Sequence, residues 1–128
     1  MAILLTCLLV AVLLPYLSKV LIIYAIKKDS HYDNNHPRLQ QSQLKGFAAR
    51  AVAAHQNSFE ALIVFSTAVL AAIATGHVTA LVEYLAIAFI IIRFVYHALY
   101  LLNLASFRSL IWALGLFVCV GILCSCFY

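Results

Sequence analysis

Four long apolar stretches fill most of this 128-residue sequence and constrain its fold more than any other feature. An α-helix needs roughly 20 apolar residues to cross a hydrocarbon core of about 30 Å, so four spans with short connections use nearly the whole chain. Charged residues make up only 9% of the sequence, against roughly a quarter in soluble proteins. The sequence therefore predicts an all-α integral membrane protein, a four-helix bundle that forms one domain over residues 1–128 and leaves no room for a soluble catalytic domain.

The limits of the apolar stretches predict the helices and their connections. We expect helices at about residues 3–26, 44–74, 78–102 and 106–126. Residues 27–43 should form a polar loop without a helix, because Asp-Asn-Asn-His-Pro at positions 33–37 has the composition of a turn.

The distribution of basic residues predicts an orientation through the positive-inside rule. Arg108 lies in the third connection, and residues 75–80 contain no Lys or Arg. The basic residues in and after the first connection are Lys27, Lys28, Arg38, Lys45 and Arg50. We therefore expect the first and third connections to face the cytoplasm and both termini to face away from it. The basic patch favours contact with anionic membrane lipid over nucleic acid, because no aromatic stacking platform accompanies it.

The cysteines do not form a metal-binding pattern. All four, Cys7, Cys119, Cys124 and Cys126, lie in apolar runs without Cys-x-x-Cys spacing or a nearby histidine. We expect them to pack in the bundle, and we expect no metal site.

The second helix carries polar side chains that an apolar span would not need. At about 100° per residue, Arg50, Asn57 and Glu60 share one side of the helix. Glu60 lies roughly 20 Å along the helix from Gly46, where an unpaired charge is costly, so it should face the bundle interior and meet a cation or a ligand. The alternative is an ion pair of Glu60 with Lys19 or Arg93 that only sets the helix register.

His55 points away from this side of the helix. We expect it to make an interfacial or inter-subunit contact rather than to bind a ligand.

The third helix offers a second polar stripe near the same end of the bundle. Arg93, Tyr96 or His97, and Tyr100 recur at spacings of three and four residues, and Arg108 and Ser109 follow the next turn. The tyrosines alone are typical of an interfacial aromatic belt. Together with the arginines they favour a cationic, hydroxyl-rich pocket for an anionic peptide-like ligand.

These clusters resemble the MAPEG family, the membrane-associated proteins of eicosanoid and glutathione metabolism, which includes microsomal glutathione transferases and leukotriene and prostaglandin synthases. In the second helix the resemblance rests on Ala54-His55-Gln56-Asn57-Ser58-Phe59-Glu60, which is particularly like the short bacterial members. Further along the chain it rests on Arg93-Phe-Val-Tyr96-His97-Ala-Leu-Tyr100 and Arg108-Ser109. The resemblance covers nearly the whole chain. It implies a homotrimer in a bacterial inner membrane, with glutathione bound between neighbouring subunits at the cytoplasmic side.

The resemblance also assigns roles to residues. Asn57 and Glu60 match the family's glutathione-contacting amide and carboxylate, and Glu60 is expected to hold the amino group. Tyr100 matches a contacting tyrosine, Tyr96 or His97 a neighbouring one, and Arg108, with a one-residue shift, the arginine that stabilises the thiolate, with Ser109 beside it. The complete expected glutathione site is Arg50, Asn57, Glu60, Arg93, Tyr96, His97 and Ser109, with Arg108 and Tyr100 as catalytic residues.

One position departs from the family pattern. Where catalytic members carry arginine seven residues before the motif glutamate, this chain has Ala53, and Arg50 matches an additional arginine one turn earlier. An alanine cannot supply the bidentate clamp that a guanidinium gives a carboxylate, so binding is rearranged onto Arg50 or Lys19, weakened or lost.

Three functions stay open at this point. The first is a glutathione-dependent transferase or peroxidase that acts on apolar electrophiles or lipid hydroperoxides arriving through the bilayer. The second is a noncatalytic member of the same family that binds lipid or a partner. The third is a small proton-coupled exporter with Glu60 as its proton relay.

Overall fold

A computed structural model describes residues 1–29 and 31–127 of the chain. Its helices are α1 (Ala2–Asp29), α2 (Pro37–Ser42), α3 (Gly46–Ala74), α4 (Ala80–Leu101) and α5 (Ala105–Cys124), followed by a 3-10 turn at Ser125–Phe127. Four of these helices, all except α2, are long and apolar enough to cross a membrane. The predicted all-helical membrane class is therefore confirmed, and no strand occurs in the part of the chain that the structure describes.

Two contacts at opposite ends of the bundle fix the directions of the helices. The amino group of Met1 lies 2.7 Å from Glu83 Oε1, so α1 and α4 begin at the same end. At the other end, Arg50 Nε donates to the carbonyl oxygen of Leu101 at 3.2 Å, so α3 begins where α4 finishes. The four long helices thus run alternately up and down. We call the end with residues 31–45 and 102–104 the loop end, and the other the terminal end.

Helix α3 packs against α1, α4 and α5 through a stripe of mainly small side chains. Buried residues recur at helical spacing along it, namely Ala51, Ala54, Ser58, Phe65, Ala68 and Ala72. Small residues allow membrane helices to approach closely, where packing rather than hydrophobicity drives association. In the half nearer the terminal end, the Phe65 ring stacks on the Phe89 ring of α4 with centroids 4.1 Å apart.

The first connection differs from its prediction, because it contains a helix. Residues 27–43 were expected to form a loop, yet α1 continues to Asp29 and α2 occupies Pro37–Ser42. Proline is favoured in the first turn of a helix, because its missing N–H needs no partner there. The turn chemistry lies just before it: Asp33 Oδ1 accepts from the backbone amides of Asn35 at 2.8 Å and His36 at 3.1 Å. These hydrogen bonds lower the pKa of the Asp33 carboxyl.

The two short connections each use one residue with positive φ. Gly76 follows the last turn of α3 with φ +76°, and the amide of the next residue, His77, donates to Ala72 O at 2.9 Å. Asn103 has φ +62° between α4 and α5. Glycine, and less readily asparagine, adopts this left-handed conformation at helix ends, so both reversals are sharp.

His55 joins α3 to α1 within the subunit. Its Nδ1 lies 2.8 Å from the carbonyl oxygen of Pro15, in the middle of α1. A carbonyl oxygen only accepts, so His55 Nδ1 donates. The prediction that His55 points away from Asn57 and Glu60 fits this contact, which is made within the subunit.

Candidate functional site

Asn57 connects a guanidinium to a carboxylate between α3 and α4. Arg93 Nη2 donates to Asn57 Oδ1 at 3.0 Å, and Asn57 Nδ2 donates to Glu60 Oε2 at 2.9 Å. We call these three residues the amide network. They meet because Asn57 and Glu60 are one helical turn apart on α3, at the level of Arg93 on the antiparallel α4.

The amide network replaces the direct ion pairs that the sequence offered as an alternative. Among the described residues Glu60 forms no ion pair with Lys19 or Arg93. Glu60 also does not lie in the bundle interior as expected, since it is exposed on the surface of the subunit. Among the described residues, Asn57 is the hydrogen-bond partner of the Glu60 carboxylate.

Arg93 retains hydrogen-bonding capacity despite deep burial. The residue is only 3% exposed, yet its Nε has no hydrogen-bond partner among the described residues. An unsatisfied buried donor costs about 1–3 kcal/mol, and more in a charged group. The Arg93 guanidinium carbon lies 4.3 Å from the centre of the Tyr96 ring, which stabilises the charge without using the Nε hydrogen.

Three further side chains extend this arrangement to the loop end. The Tyr96 and Tyr100 rings meet edge to face with centroids 5.6 Å apart. The Arg108 guanidinium carbon lies 4.2 Å from the centre of the Tyr100 ring. We call Arg93, Tyr96, Tyr100 and Arg108 the arginine–tyrosine ladder. The sharp turn at Asn103 brings Arg108 of α5 back over α4, and the spacing of 93, 96 and 100 places the other three on one face.

Tyr96 and His97, the two alternatives for one position of the stripe, make different contacts. Tyr96 lies in the ladder, whereas His97 is turned toward α3. His97 Nδ1 lies 2.8 Å from Arg93 O, which can only accept, so Nδ1 carries a proton. His97 Nε2 lies 2.8 Å from the Ser58 hydroxyl, whose single proton is shared between this nitrogen and Ala54 O, also at 2.8 Å. Ser58 was not singled out in the sequence, because a serine in an apolar helix gives no signal until its partner is known.

Two other expected site residues lie apart from the ladder. Arg50 donates to Leu101 O at the C-terminal end of α4, where the last carbonyl groups of a helix need donors. Ser109 is exposed, and its hydroxyl donates to Ala105 O in its own helix at 3.1 Å. The structure thus brings together Glu60, Asn57, Arg93, Tyr96, Tyr100 and Arg108, and leaves Arg50, His97 and Ser109 with structural partners.

A cavity of about 100 Å³ opens between α3, α4 and α5 beside the amide network. Its lining includes Glu60 and Arg93, and the rest is almost entirely apolar. The walls that the sequence did not predict are Phe89 of α4 and Trp112, Gly115, Leu116 and Cys119 of α5. The four residues of α5 recur at spacings of three and four, and this periodicity in the sequence could have predicted that they share one face of the helix.

Gly115 sets the separation of α4 and α5 at this cavity. A Cβ atom at Gly115 would lie 3.3 Å from Ile92 Cγ2, tighter than an ordinary contact. Trp112, which lines the cavity, is 47% exposed, so this wall reaches the surface of the subunit.

These features define a class: a four-span helical membrane protein with a cationic, tyrosine-lined face next to an apolar cavity. The model of the MAPEG family matches residues 3–128, and the chain belongs to that family. Comparisons with curated proteins and with solved structures return no match.

Proposed function

We propose that this protein is a glutathione-dependent membrane transferase or peroxidase that acts on apolar electrophiles or lipid hydroperoxides. The observation that carries the proposal is the continuity of the amide network with the arginine–tyrosine ladder, which puts a carboxylate, an amide, two guanidinium groups and two tyrosines on one face.

The hydrogen-bonding capacity left on this face fits glutathione. The ligand carries an amino group, two carboxylates, peptide groups and a thiol. Glu60 is suited to the amino group, and the unpartnered Arg93 Nε to a carboxylate or peptide carbonyl oxygen. The hydroxyl groups of Tyr96 and Tyr100 donate to no other described residue, so they too are available to a ligand.

Glutathione, when bound, supplies the nucleophilic thiol. A free thiol has a pKa near 8.5, and the guanidinium of Arg108 favours the thiolate form at neutral pH. The Tyr100 hydroxyl, held beside Arg108, donates a hydrogen bond to the sulfur. The cavity next to Arg93 offers an apolar path from the bilayer for the second substrate.

Calorimetry of the detergent-purified protein with glutathione tests the proposal directly. We expect saturable binding, and consumption of thiol when an apolar electrophile is added. Absence of binding at millimolar glutathione would overturn it, and uptake into vesicles driven by a pH gradient and dependent on Glu60 would instead identify an exporter.

The noncatalytic alternative has one observation in its favour. Ala53 stands at the position of the family's clamping arginine, and Arg50 is already bonded to Leu101 O and so does not replace it. Ala53 lies within about 40° of Asn57 and Glu60 around α3. Ala53→Arg should therefore tighten glutathione binding about tenfold, the effect of one added charge-assisted hydrogen bond. Failure of both wild type and Ala53→Arg to bind glutathione would favour the noncatalytic function.

We further propose that the chain assembles as a homotrimer with α3 near the axis. A carboxylate exposed in the middle of a membrane helix, as Glu60 is in the single subunit, is costly unless a ligand or a neighbouring subunit covers it. The residues argue only for association, and the family supplies the number three. Mass measurement in mild detergent should return a trimer, and a monomer alone would contradict the proposal.

The proposed location is a bacterial inner membrane, with the loop end in the cytoplasm. In a variant without the native cysteines, an impermeant thiol reagent added to intact cells should label Thr79→Cys and not Asn34→Cys. Equal labelling of the two positions would contradict this orientation.

A further inference from the structure

A second cavity, of about 480 Å³, lies on another side of α3 from the amide network. It is lined by residues of α1, α2 and α3, and His55 in its wall is about 160° around α3 from Asn57. Its lining residues are Lys19, Arg38, Gln41, Ser42, Val52, His55, Gln56 and Phe59. No residue of the amide network or of the arginine–tyrosine ladder contributes to it.

The charge of this cavity is positive and uncompensated. Lys19 and Arg38 both line it, and no carboxylate does. Neither Lys19 nor Arg38 forms an ion pair with another described residue. Lys19 lies ten residues before Asp29, the last residue of α1, and hence about 15 Å along the helix from its end. A lysine at that depth needs an anionic partner or a path to water.

Gln41 adds a neutral donor to the same cavity. Its Nε2 is buried and has no hydrogen-bond partner among the described residues. The Ser42 hydroxyl is already used, because it donates to Leu39 O at 2.7 Å. The unused groups include an ammonium, a guanidinium and an amide N–H, and these three donate. A ligand that only accepts hydrogen bonds and carries negative charge satisfies them all, and phosphate is such a group.

The surroundings of the cavity favour a phosphate with an acyl chain attached. Phe59 in its wall meets Tyr16 of α1 edge to face, with centroids 6.2 Å apart. Both rings are exposed on the surface of the subunit, Phe59 at 39% and Tyr16 at 60%. Arg38 belongs to α2, outside the spanning helices, so polar donors lie toward the loop end and aromatic surface lies deeper.

We propose that this α1–α2–α3 cavity binds the phosphate of an anionic phospholipid. Lys19 and Arg38 pair with the phosphate oxygens, Gln41 donates a third hydrogen bond, and an acyl chain lies along Tyr16 and Phe59. Basic pockets between membrane helices bind acidic headgroups in this way. The site is separate from the proposed glutathione site, so the two proposals stand or fall independently.

Native mass spectrometry of the full-length protein, with phosphatidylglycerol and phosphatidylcholine of the same acyl chains, tests the proposal. Wild type should retain phosphatidylglycerol in preference to phosphatidylcholine. Lys19→Gln and Arg38→Gln should each reduce that retention about tenfold, the effect of one charge-assisted hydrogen bond. Lys27→Gln is the matched control, because it removes the same charge from an exposed position of α1 that does not line the cavity. An equal loss in Lys27→Gln would show nonspecific attraction and overturn the proposal.

Gln41→Met distinguishes a site with a specific hydrogen-bond donor from a basic surface, because it removes the amide donor without changing the charge. We expect it to reduce phosphatidylglycerol retention severalfold, and no change would contradict the site. Gln41→Met also tests the phospholipid site if Lys19→Gln does not fold. Inorganic phosphate in excess should not displace the lipid or raise the thermal stability as phosphatidylglycerol does. Equal stabilisation by phosphate alone would show that the cavity binds the free phosphate ion, and would overturn the proposal that it binds a phospholipid.

Discussion

The two halves of the contact between α3 and α4 differ in the side chains that join the helices. Toward the terminal end, Phe65 and Phe89 stack with their rings nearly parallel, at 3°, and both are buried. Toward the loop end, Asn57 bonds to Arg93 and Ser58 to His97. The apolar half leaves no polar group in need of a partner, whereas the polar half leaves Arg93 Nε unpartnered and Glu60 exposed. Under the proposed function, the apolar half serves stability and the polar half serves the ligand.

Polar side chains contribute little net stability to the contact between two membrane helices. Hydrogen bonds between such helices average only about 0.6 kcal/mol, and a charged residue at the centre of a span costs about 2.5–3.5 kcal/mol by insertion measurements. Helix packing therefore does not explain the presence of Arg93 in the span, whereas the proposed ligand binding does.

The largest effect should come from the apolar half. Phe65→Ala should destabilise the bundle by about 3 kcal/mol, because it removes a fully buried ring and leaves a cavity that the stacked Phe89 cannot fill. Unfolding by a denaturing detergent measures this loss. The exposed Phe117→Ala is the control and should change stability much less. The glutathione affinity of folded Phe65→Ala should equal that of wild type, and a parallel loss of binding would break the separation of the two halves.

The next effect concerns the polar half, where we expect a loss of glutathione affinity with little loss of stability. Glu60→Gln should weaken glutathione binding by about 1.5–3 kcal/mol, or roughly tenfold to a hundredfold, because it removes the charge partner of the amino group. Stability should change little, since the glutamine oxygen still accepts from Asn57 Nδ2. Calorimetry and the same unfolding assay read the two quantities separately. A variant that loses stability and keeps its affinity would show that Glu60 serves the fold.

Arg108→Ala should act on the thiol rather than on binding. Loss of the guanidinium raises the pKa of bound glutathione, so the thiolate fraction and the rate at neutral pH fall, by about tenfold for each pKa unit. The rate should recover as the pH rises through the new thiol pKa, because the thiolate then forms without help. Arg108→Lys, which keeps the charge, should restore part of the neutral rate. A pH-independent loss of rate would place Arg108 in a role other than thiolate stabilisation.

How much of this arrangement the sequence predicts depends on whether a feature is local. The four spans were predictable because length and hydropathy decide them, and they are observed. The stripe of Arg93, Tyr96 and Tyr100 was predictable from helical spacing, because all three belong to one straight helix. The cluster of Asn57 and Glu60 was visible for the same reason.

What the sequence missed depends on contacts between elements. Arg50 shares a side of its helix with Asn57, but the end of α4 lies beside it and its Leu101 carbonyl takes the side chain. The depth of Glu60 was predictable, but whether it turned into or out of the subunit depended on which face α4 covers. The helix α2 was missed because Pro37 was interpreted as part of a turn, although proline also starts helices.

The smallest effect should come from the bond between Ser58 and His97, and it tests whether every polar contact in this half serves the ligand. His97 Nδ1 donates to Arg93 O, so the contact of His97 Nε2 with the Ser58 hydroxyl ties the backbone of Arg93 to α3. Ser58→Ala should reduce stability by only about 0.6 kcal/mol, the average for a hydrogen bond between membrane helices. Ser66→Ala is the matched control on the same helix, because its hydroxyl donates only to Ile63 O of α3. If Ser58 positions Arg93, Ser58→Ala should also weaken glutathione binding a few-fold while Ser66→Ala does not. Equal behaviour of the two variants in both assays would confine the ligand-binding part of this interface to Asn57, Glu60 and Arg93.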